Sequence, residues 1–317
     1  MQAFTPALVL FSVLFPTKLW FAPDQPLTVT VKPVAGGSVA LVLTDFLGKV
    51  IDARGPALVE AERTLDLREL YPQLSTPGTY ILYAVPQGRP VDDFVGTPLV
   101  IGVRQDNRRD APPGPMVINV APLCYATIKT DKGDFGVAFY YDVAPSTVAN
   151  FVSLAQNGFY DGLAFYRVVP DLLIQGGDPR GDGSGGPGYR IDAEFNDREH
   201  RPGVLSMSRQ TDPLERAGAL PRPDYANSAG SQFFISLNYA RTRQFDRRYT
   251  AFARVIDGMN VVESIGQAPI DQQTESPLEP VVIRQVQVLP VDAAHNPYPT
   301  LLSPSTTQPA DAGGADR

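Results

Sequence analysis

Residues 165–178 read FYRVVPDLLIQGGD, and the reading of the second half of the chain turns on them. Phe165, Val168, Val169, Leu172, Leu173 and Ile174 supply aromatic and branched apolar side chains at a density that favours strands. Gly176-Gly177 marks a turn at the end of the run, so a strand of aromatic and branched residues running into a turn is expected. One guanidinium, Arg167, stands inside this apolar stretch, and an uncharged amide, Gln175, follows eight residues later. Taken alone, an arginine in such a strand reads most simply as an ion-pair partner at a sheet edge.

The segment does not stand alone. Residues 203–207 read GVLSM, residues 227–235 NSAGSQFFI and residues 249–255 YTAFARV. Upstream lie ATIKTDKGDFG at 126–136 and APSTVANFVSLAQNGFYDG at 144–162. In this order the blocks resemble the signature segments of the cyclophilin family, over residues 117–291. The resemblance implies a mainly β fold: a closed antiparallel barrel of eight strands capped by two helices, with an active site on its outer face. It also implies peptidyl-prolyl cis-trans isomerisation of protein substrates, in the service of protein folding, with no cofactor and no metal.

Carried over position by position, the resemblance makes Arg167 the catalytic arginine and Gln175 the amide that holds a substrate carbonyl. Leu173, Phe234 and Phe245 match the walls of a proline pocket, with Gln232 beside them. Leu172, Ser208, Arg209 and Tyr249 complete the expected substrate-binding set. Several positions depart from the family's habit. Leu172 replaces a usual phenylalanine, and Tyr166 and Tyr249 stand where histidine is frequent. Arg209 stands near a frequent asparagine, and Gln244 about where some members have the tryptophan associated with cyclosporin binding. Residues 214–226, LERAGALPRPDYA, look like an insertion between the GVLSM and GSQFF blocks. Their mixture of charge, leucine and proline suits a surface loop beside the groove.

Other chemistries find little support. Gly181, Gly183 and Gly186 satisfy G-x-G-x-x-G, but Pro187-Gly188 follows where a dinucleotide fingerprint needs a helix, so a surface loop is expected. Asp178 and Asp182 lack the spacing of a calcium loop. Two histidines, His200 and His295, and one cysteine, Cys124, provide neither a metal cluster nor a hydrolase triad. A net charge of −7 gives no electrostatic footprint for nucleic acid or an anionic membrane. No apolar run is long enough to predict a membrane span. The partners expected are proline-containing peptides or folding proteins, bound by a monomer.

Before the barrel segment, residues 1–104 read as a small β-sandwich-like domain. Leu27, Val29 and Val31 would line one strand face, Val39, Leu41 and Leu43 a second, and Tyr80, Leu82 and Ala84 a third. Residues 105–116 read as a proline-rich linker, and residues 292–317 as a disordered tail. Residues 7–15, ALVLFSVLF, resemble a signal-peptide core, but no Lys or Arg precedes Lys18 and no A-x-A follows. A first strand and a cytoplasmic location are therefore slightly favoured over export. Within residues 117–291, helices are expected from Pro145 to about Gly158 and around 259–265, and a last strand over 281–289. The rival reading keeps the fold but makes it a weakly catalytic proline-binding or chaperone module, with clients recruited by the sandwich.

Overall fold

A computed structural model describes residues 13–22, 25–34, 37–52, 55–105, 116–216 and 219–299. Residues 7–12 of the signal-like segment, 106–115 of the expected linker and 300–317 of the expected tail lie outside these.

The N-terminal part contains β1 (Leu14–Pro16), β2 (Trp20–Phe21), β3 (Thr28–Val31), β4 (Val39–Asp45), β5 (Ala57–Val59), β6 (Arg63–Asp66), a short helix α1 (Leu67–Leu70), β7 (Gly78–Pro86), β8 (Leu99–Gln105) and β9 (Met116–Pro122). They form a small sheet, β1-β3-β6, and a larger one, β2-β9-β8-β7-β4-β5. The three predicted strand faces meet between the sheets: Leu27, Val29, Val31, Val39, Leu41, Leu43, Tyr80, Leu82 and Ala84 share one core. The Asp66 carboxylate fixes the chain at α1 by accepting from Arg68 N at 3.0 Å and Leu27 N at 3.1 Å.

The larger sheet is apolar on both faces, which strict alternation does not predict. Val42, Ile81, Tyr83, Val85 and Val100 point away from the sandwich core and join the core of the second half. Strands buried on both sides read as continuous apolar runs, and VALVL and YILYAV are such runs. β9 also revises the expected boundary. Residues 117–122, read as the start of the barrel, pair along their length with β8, and the chain turns into the barrel at Leu123. A run of strand-forming residues next to an unpaired sheet edge completes that edge.

The second half contains β10 (Cys124–Thr130), β11 (Gly133–Phe139), α2 (Pro145–Gln156), β12 (Ala164–Phe165), β13 (Arg167–Val169), β14 (Leu173–Gly176), β15 (Val204–Met207), α3 (Pro223–Ala226), β16 (Phe233–Ser236), α4 (Tyr239–Thr242), β17 (Ala251–Asp257), α5 (Met259–Gly266) and β18 (Val281–Pro290). The sheet order is β12-β18-β10-β11-β17-β15-β16-β14-β13. Its two ends, β12 and β13, are separated in sequence only by Tyr166, so one passage of chain closes the barrel and eight strand positions result. The helices longer than one turn are α2 and α5, as expected. α2 starts at Pro145, buries Val148, Phe151, Leu154 and Ala155, and stops before Gly158, whose φ of 69° suits glycine.

The tail departs from expectation. Residues 292–299 do not trail away: Tyr298 is buried, its hydroxyl donating to Cys124 O at 2.6 Å and accepting from Phe139 N at 3.2 Å. Its ring lies between Phe46 of the sandwich, at 5.9 Å, and Tyr141 of the barrel, at 6.2 Å. One aromatic side chain with a hydroxyl supplies enough area and hydrogen bonding to dock a segment that lacks any periodicity.

Candidate active site

The barrel's register builds the site. Arg167 on β13 faces Gln175 on β14, Gln175 faces Phe234 on β16, and Phe234 faces Ser206 on β15. Because side chains alternate along a strand, this row emerges on the outer face. The neighbouring row, Val168, Ile174, Ile235 and Leu205, is fully buried in the barrel core. Leu173, two residues before Gln175, shares the outer face.

Around this row runs a chain of side-chain hydrogen bonds. Arg167 donates from Nη1 to Gln175 Oε1 at 3.2 Å and from Nε to Glu275 Oε2 at 2.7 Å. Gln175 Nε2 donates toward Ser208 Oγ at 3.0 Å, Gln232 Oε1 at 3.3 Å and the Tyr166 hydroxyl. Tyr166 in turn donates to Gln232 Oε1 at 2.7 Å. Gln232 Nε2 donates to Gly185 O at 2.8 Å and Gly183 O at 3.0 Å. Burial, with Asp178 nearby, holds the Tyr166 phenol well above its ordinary range, so it remains a donor. The chain fixes the Gln175 amide with its oxygen toward the guanidinium.

The glycine loop has an internal use. The buried Asp178 carboxylate accepts from Arg180 N at 2.8 Å, Asp182 N at 3.2 Å and Gly183 N at 2.6 Å. A Cβ at Gly185 would meet that carboxylate at 1.9 Å. The loop therefore wraps one of the protein's own anions, and its carbonyls hold Gln232.

Beside the polar row lies an aromatic cluster. Phe234 meets Phe245 and Tyr249 edge-on, each at 5.4 Å, and Phe245 meets Tyr249 at 5.1 Å. His200 stacks behind Phe234 at 6.0 Å with an interplanar angle of 17°. It is fully buried, with Nδ1 2.8 Å from Asp246 Oδ1. Burial pushes its pKa down, against the opposing pull of Asp246.

The structure thus gathers Arg167, Gln175, Ser208 and Gln232 into the polar half, and Leu173, Phe234, Phe245 and Tyr249 into or beside the apolar half. Leu172 sits in the turn between β13 and β14, its N–H donating to Val169 O at 3.0 Å. Arg209 differs most from its expected place among the substrate-binding residues. Its side chain is 2% exposed and its donors are spent within the protein, on Arg248 O, Gln210 O and Glu215. It packs under Tyr249, 4.4 Å from the ring centre, instead of reaching the groove. Gln244 is exposed, and its amide donates to Arg241 O at 2.9 Å.

The sequence reading missed Glu275, Glu215 and the place of His200. Glu275 lies 108 residues from its partner, and no spacing rule spans that distance. Among the described residues no group of three or more His, Cys, Asp or Glu could hold a metal ion, and no helix is long and apolar enough to cross a membrane.

Comparison with known proteins shows the family. The family model described as cyclophilin type peptidyl-prolyl cis-trans isomerase/CLD matches residues 125–288. A peptidyl-prolyl cis-trans isomerase of Synechococcus elongatus is 43% identical over 145 residues, covering 45% of this chain and 89% of the relative. One of Helicobacter pylori is 38% identical over 155 residues, covering 48% and 85%. Peptidyl-prolyl cis-trans isomerase A of Mycobacterium tuberculosis is 38% identical over 182 residues, covering 51% and 91%. A solved Cryptosporidium parvum cyclophilin type isomerase, crystallised in the presence of the dipeptide Ala-Pro, is 28% identical with a TM-score of 0.45, covering 52% of this chain and 98% of that one. With the family model spanning more than half of its length, this chain belongs to the cyclophilin-type peptidyl-prolyl cis-trans isomerases and is an enzyme of that kind.

Proposed function

We propose that this isomerase binds proline-containing segments of peptides and folding proteins on the outer barrel face between Arg167 and Tyr249, and that Arg167 carries the catalysis. The observation that supports the reading is the cross-strand row Arg167, Gln175, Phe234, which sets a guanidinium two strand spacings from an apolar pocket, with Gln175 between them.

The chemistry needs little more. An X–Pro bond resists rotation because nitrogen shares its lone pair with the carbonyl, and uncatalysed exchange takes tens to hundreds of seconds. As the bond twists, the lone pair localises on a pyramidal nitrogen. A donor aimed at that nitrogen bonds more strongly to the twisted state than to the planar one, which is the condition for catalysis. Arginine stays charged throughout. Here Glu275 occupies Nε and Gln175 one Nη1 proton, so Nη2 and the other Nη1 proton are available among the described residues. Phe234, Phe245 and Tyr249 hold the ring, and Leu173 closes the side beneath it. A substrate carbonyl next to the bond takes one of the acceptor places now shared around Gln175 Nε2. No covalent step occurs.

The barrel from Leu123 onward carries this site, and the sandwich up to Pro122 backs it. The direct test is NMR of the full chain with an Ala-Pro peptide. Exchange cross-peaks between cis and trans peptide, with shifts centred on Arg167, Gln175, Phe234 and Tyr249, are expected. Exchange with shifts confined to another face would overturn the location.

A further inference from the structure

We infer that Glu215, delivered by the insertion at 214–226, is a positioning residue for the proline pocket and sets how tightly that pocket holds its substrate. The inference rests on the reading that Phe234, Phe245 and Tyr249 form the pocket.

The insertion is pinned at its base. Asp212, with its side chain 2% exposed, accepts from Arg222 N at 2.9 Å, Arg222 Nη2 at 2.7 Å and Leu214 N at 3.0 Å. That staple sets Glu215 between Arg209 and Arg248, with its side chain 8% exposed. Arg209 Nη2 lies 2.8 and 3.0 Å from its two oxygens, and Arg248 Nε lies 3.0 Å from Oε1 with Nη2 closer still. Arg209 follows the end of β15, and Arg248 immediately precedes Tyr249. Arg209 Nε also donates to Arg248 O at 3.1 Å, which ties the two segments together. The Arg209 guanidinium then lies 4.4 Å from the centre of the Tyr249 ring, which meets Phe234 and Phe245.

The line of contact runs from Glu215 through Arg209 to Tyr249 and the pocket wall. Glu215 is the one carboxylate ion-paired with both arginines among the described residues. Without its charge, two guanidinium groups remain close together, one of them wholly desolvated, an arrangement that cannot persist. Arg209 then has to leave its place against Tyr249, and the ring loses the support of the guanidinium. Among the described residues Arg167 makes no hydrogen bond or ion pair with this network; its partners are Glu275 and Gln175. Loss of Glu215 therefore weakens substrate holding and spares the chemical step. On this account the insertion acts through the pocket wall, and peptides that depend most on the proline ring for affinity are the most affected.

The test is Glu215→Gln in the full chain, with KM and kcat separated by peptide titration and with the Tyr249 ring resonances followed by NMR. A rise in KM of about tenfold, with kcat within about twofold and displaced Tyr249 signals, is expected for loss of a pocket wall. Glu215→Asp, which keeps the charge, should recover most of the affinity. If Glu215→Gln does not fold, the double variant Glu215→Met with Arg209→Met removes both charges together and should fold with a raised KM. Unchanged KM and unmoved Tyr249 signals, or a fall in kcat at unchanged KM, overturn the inference. Failure of Tyr249 to respond to peptide in the unmodified protein would instead overturn the pocket reading on which it rests.

Discussion

Arg167 Nε and Glu275 Oε2 are 2.7 Å apart, although 108 residues separate them. The carboxylate comes from a loop that docks along β13: Val168 N donates to Glu275 O at 2.8 Å, and Glu275 itself has a φ of 58°, a left-handed conformation that costs a glutamate energy. The side chains are 36% and 39% exposed, so the pair contributes only about 0–1 kcal/mol to stability. On the proposed reading its use is orientation: it holds the guanidinium by Nε and leaves Nη2 for substrate. The ion pair and the proposed catalytic role of Arg167 are then one arrangement.

Glu275→Gln keeps the shape and removes the charge. We predict a fall in kcat of about three- to tenfold with KM little changed, and a shift in stability below about 1 kcal/mol. Steady-state kinetics beside a urea melt checks both. Full activity would show that the loop is only structural.

Tyr166→Phe removes the hydroxyl that bridges Gln175 and Gln232 and leaves their direct 3.3 Å contact. Gln175 then loses one of the contacts that hold its amide, and Gln232 Oε1 loses a donor. A fall in kcat/KM of about tenfold is expected, with altered side-chain amide resonances of Gln175. Unaltered Gln175 resonances would place its orientation elsewhere, with Ser208.

His200 gives a pH dependence of defined sign. Burial lowers its folded pKa, so the unfolded chain binds the proton first as pH falls below about 6.5. Between that pH and the lower folded value the unfolded state carries more protons, and stability falls as the medium becomes more acidic. His200→Asn should make the urea midpoint less dependent on pH in the range below about 6.5. An unaltered slope would mean that His200 does not carry this dependence.

Tyr298→Phe removes a buried hydroxyl that serves Phe139 N and Cys124 O. A loss of about 1–3 kcal/mol is expected, without change in kcat/KM of the folded enzyme. For the same reason, a fragment of residues 117–291, which the sequence suggests as a complete barrel, should melt lower than the full chain. It starts inside β9, lacks Tyr298 and uncovers the face that Val42, Tyr83 and Val100 bury.

What could be read from the sequence follows the range of the interactions. Arg167, Gln175 and Phe234 lie in short continuous blocks whose alternation already places them on one face. The sandwich faces at Leu27, Val29 and Val31, and the starts of α2 and α5, were legible because their signals are local. Glu275, Glu215 and Tyr298 were not, since each acts through a contact brought by a distant or irregular segment. The second apolar face of β4 and β7 was visible in VALVL and YILYAV, but alternation described only half of it. Arg209 was placed in the right region with the wrong neighbour, because its partner lies in the insertion.

The central claim is that Arg167 lowers the barrier by donating to the prolyl nitrogen, and Arg167→Ala measures it most directly. Arg167 is half-exposed at the end of the sheet row, so its removal should leave folding and the melting temperature nearly unchanged. Loss of one preorganised transition-state donor predicts a fall in kcat/KM of about 100-fold or more on an X–Pro peptide. A folded Arg167→Ala protein that isomerises the peptide at close to the unmodified rate would contradict the account.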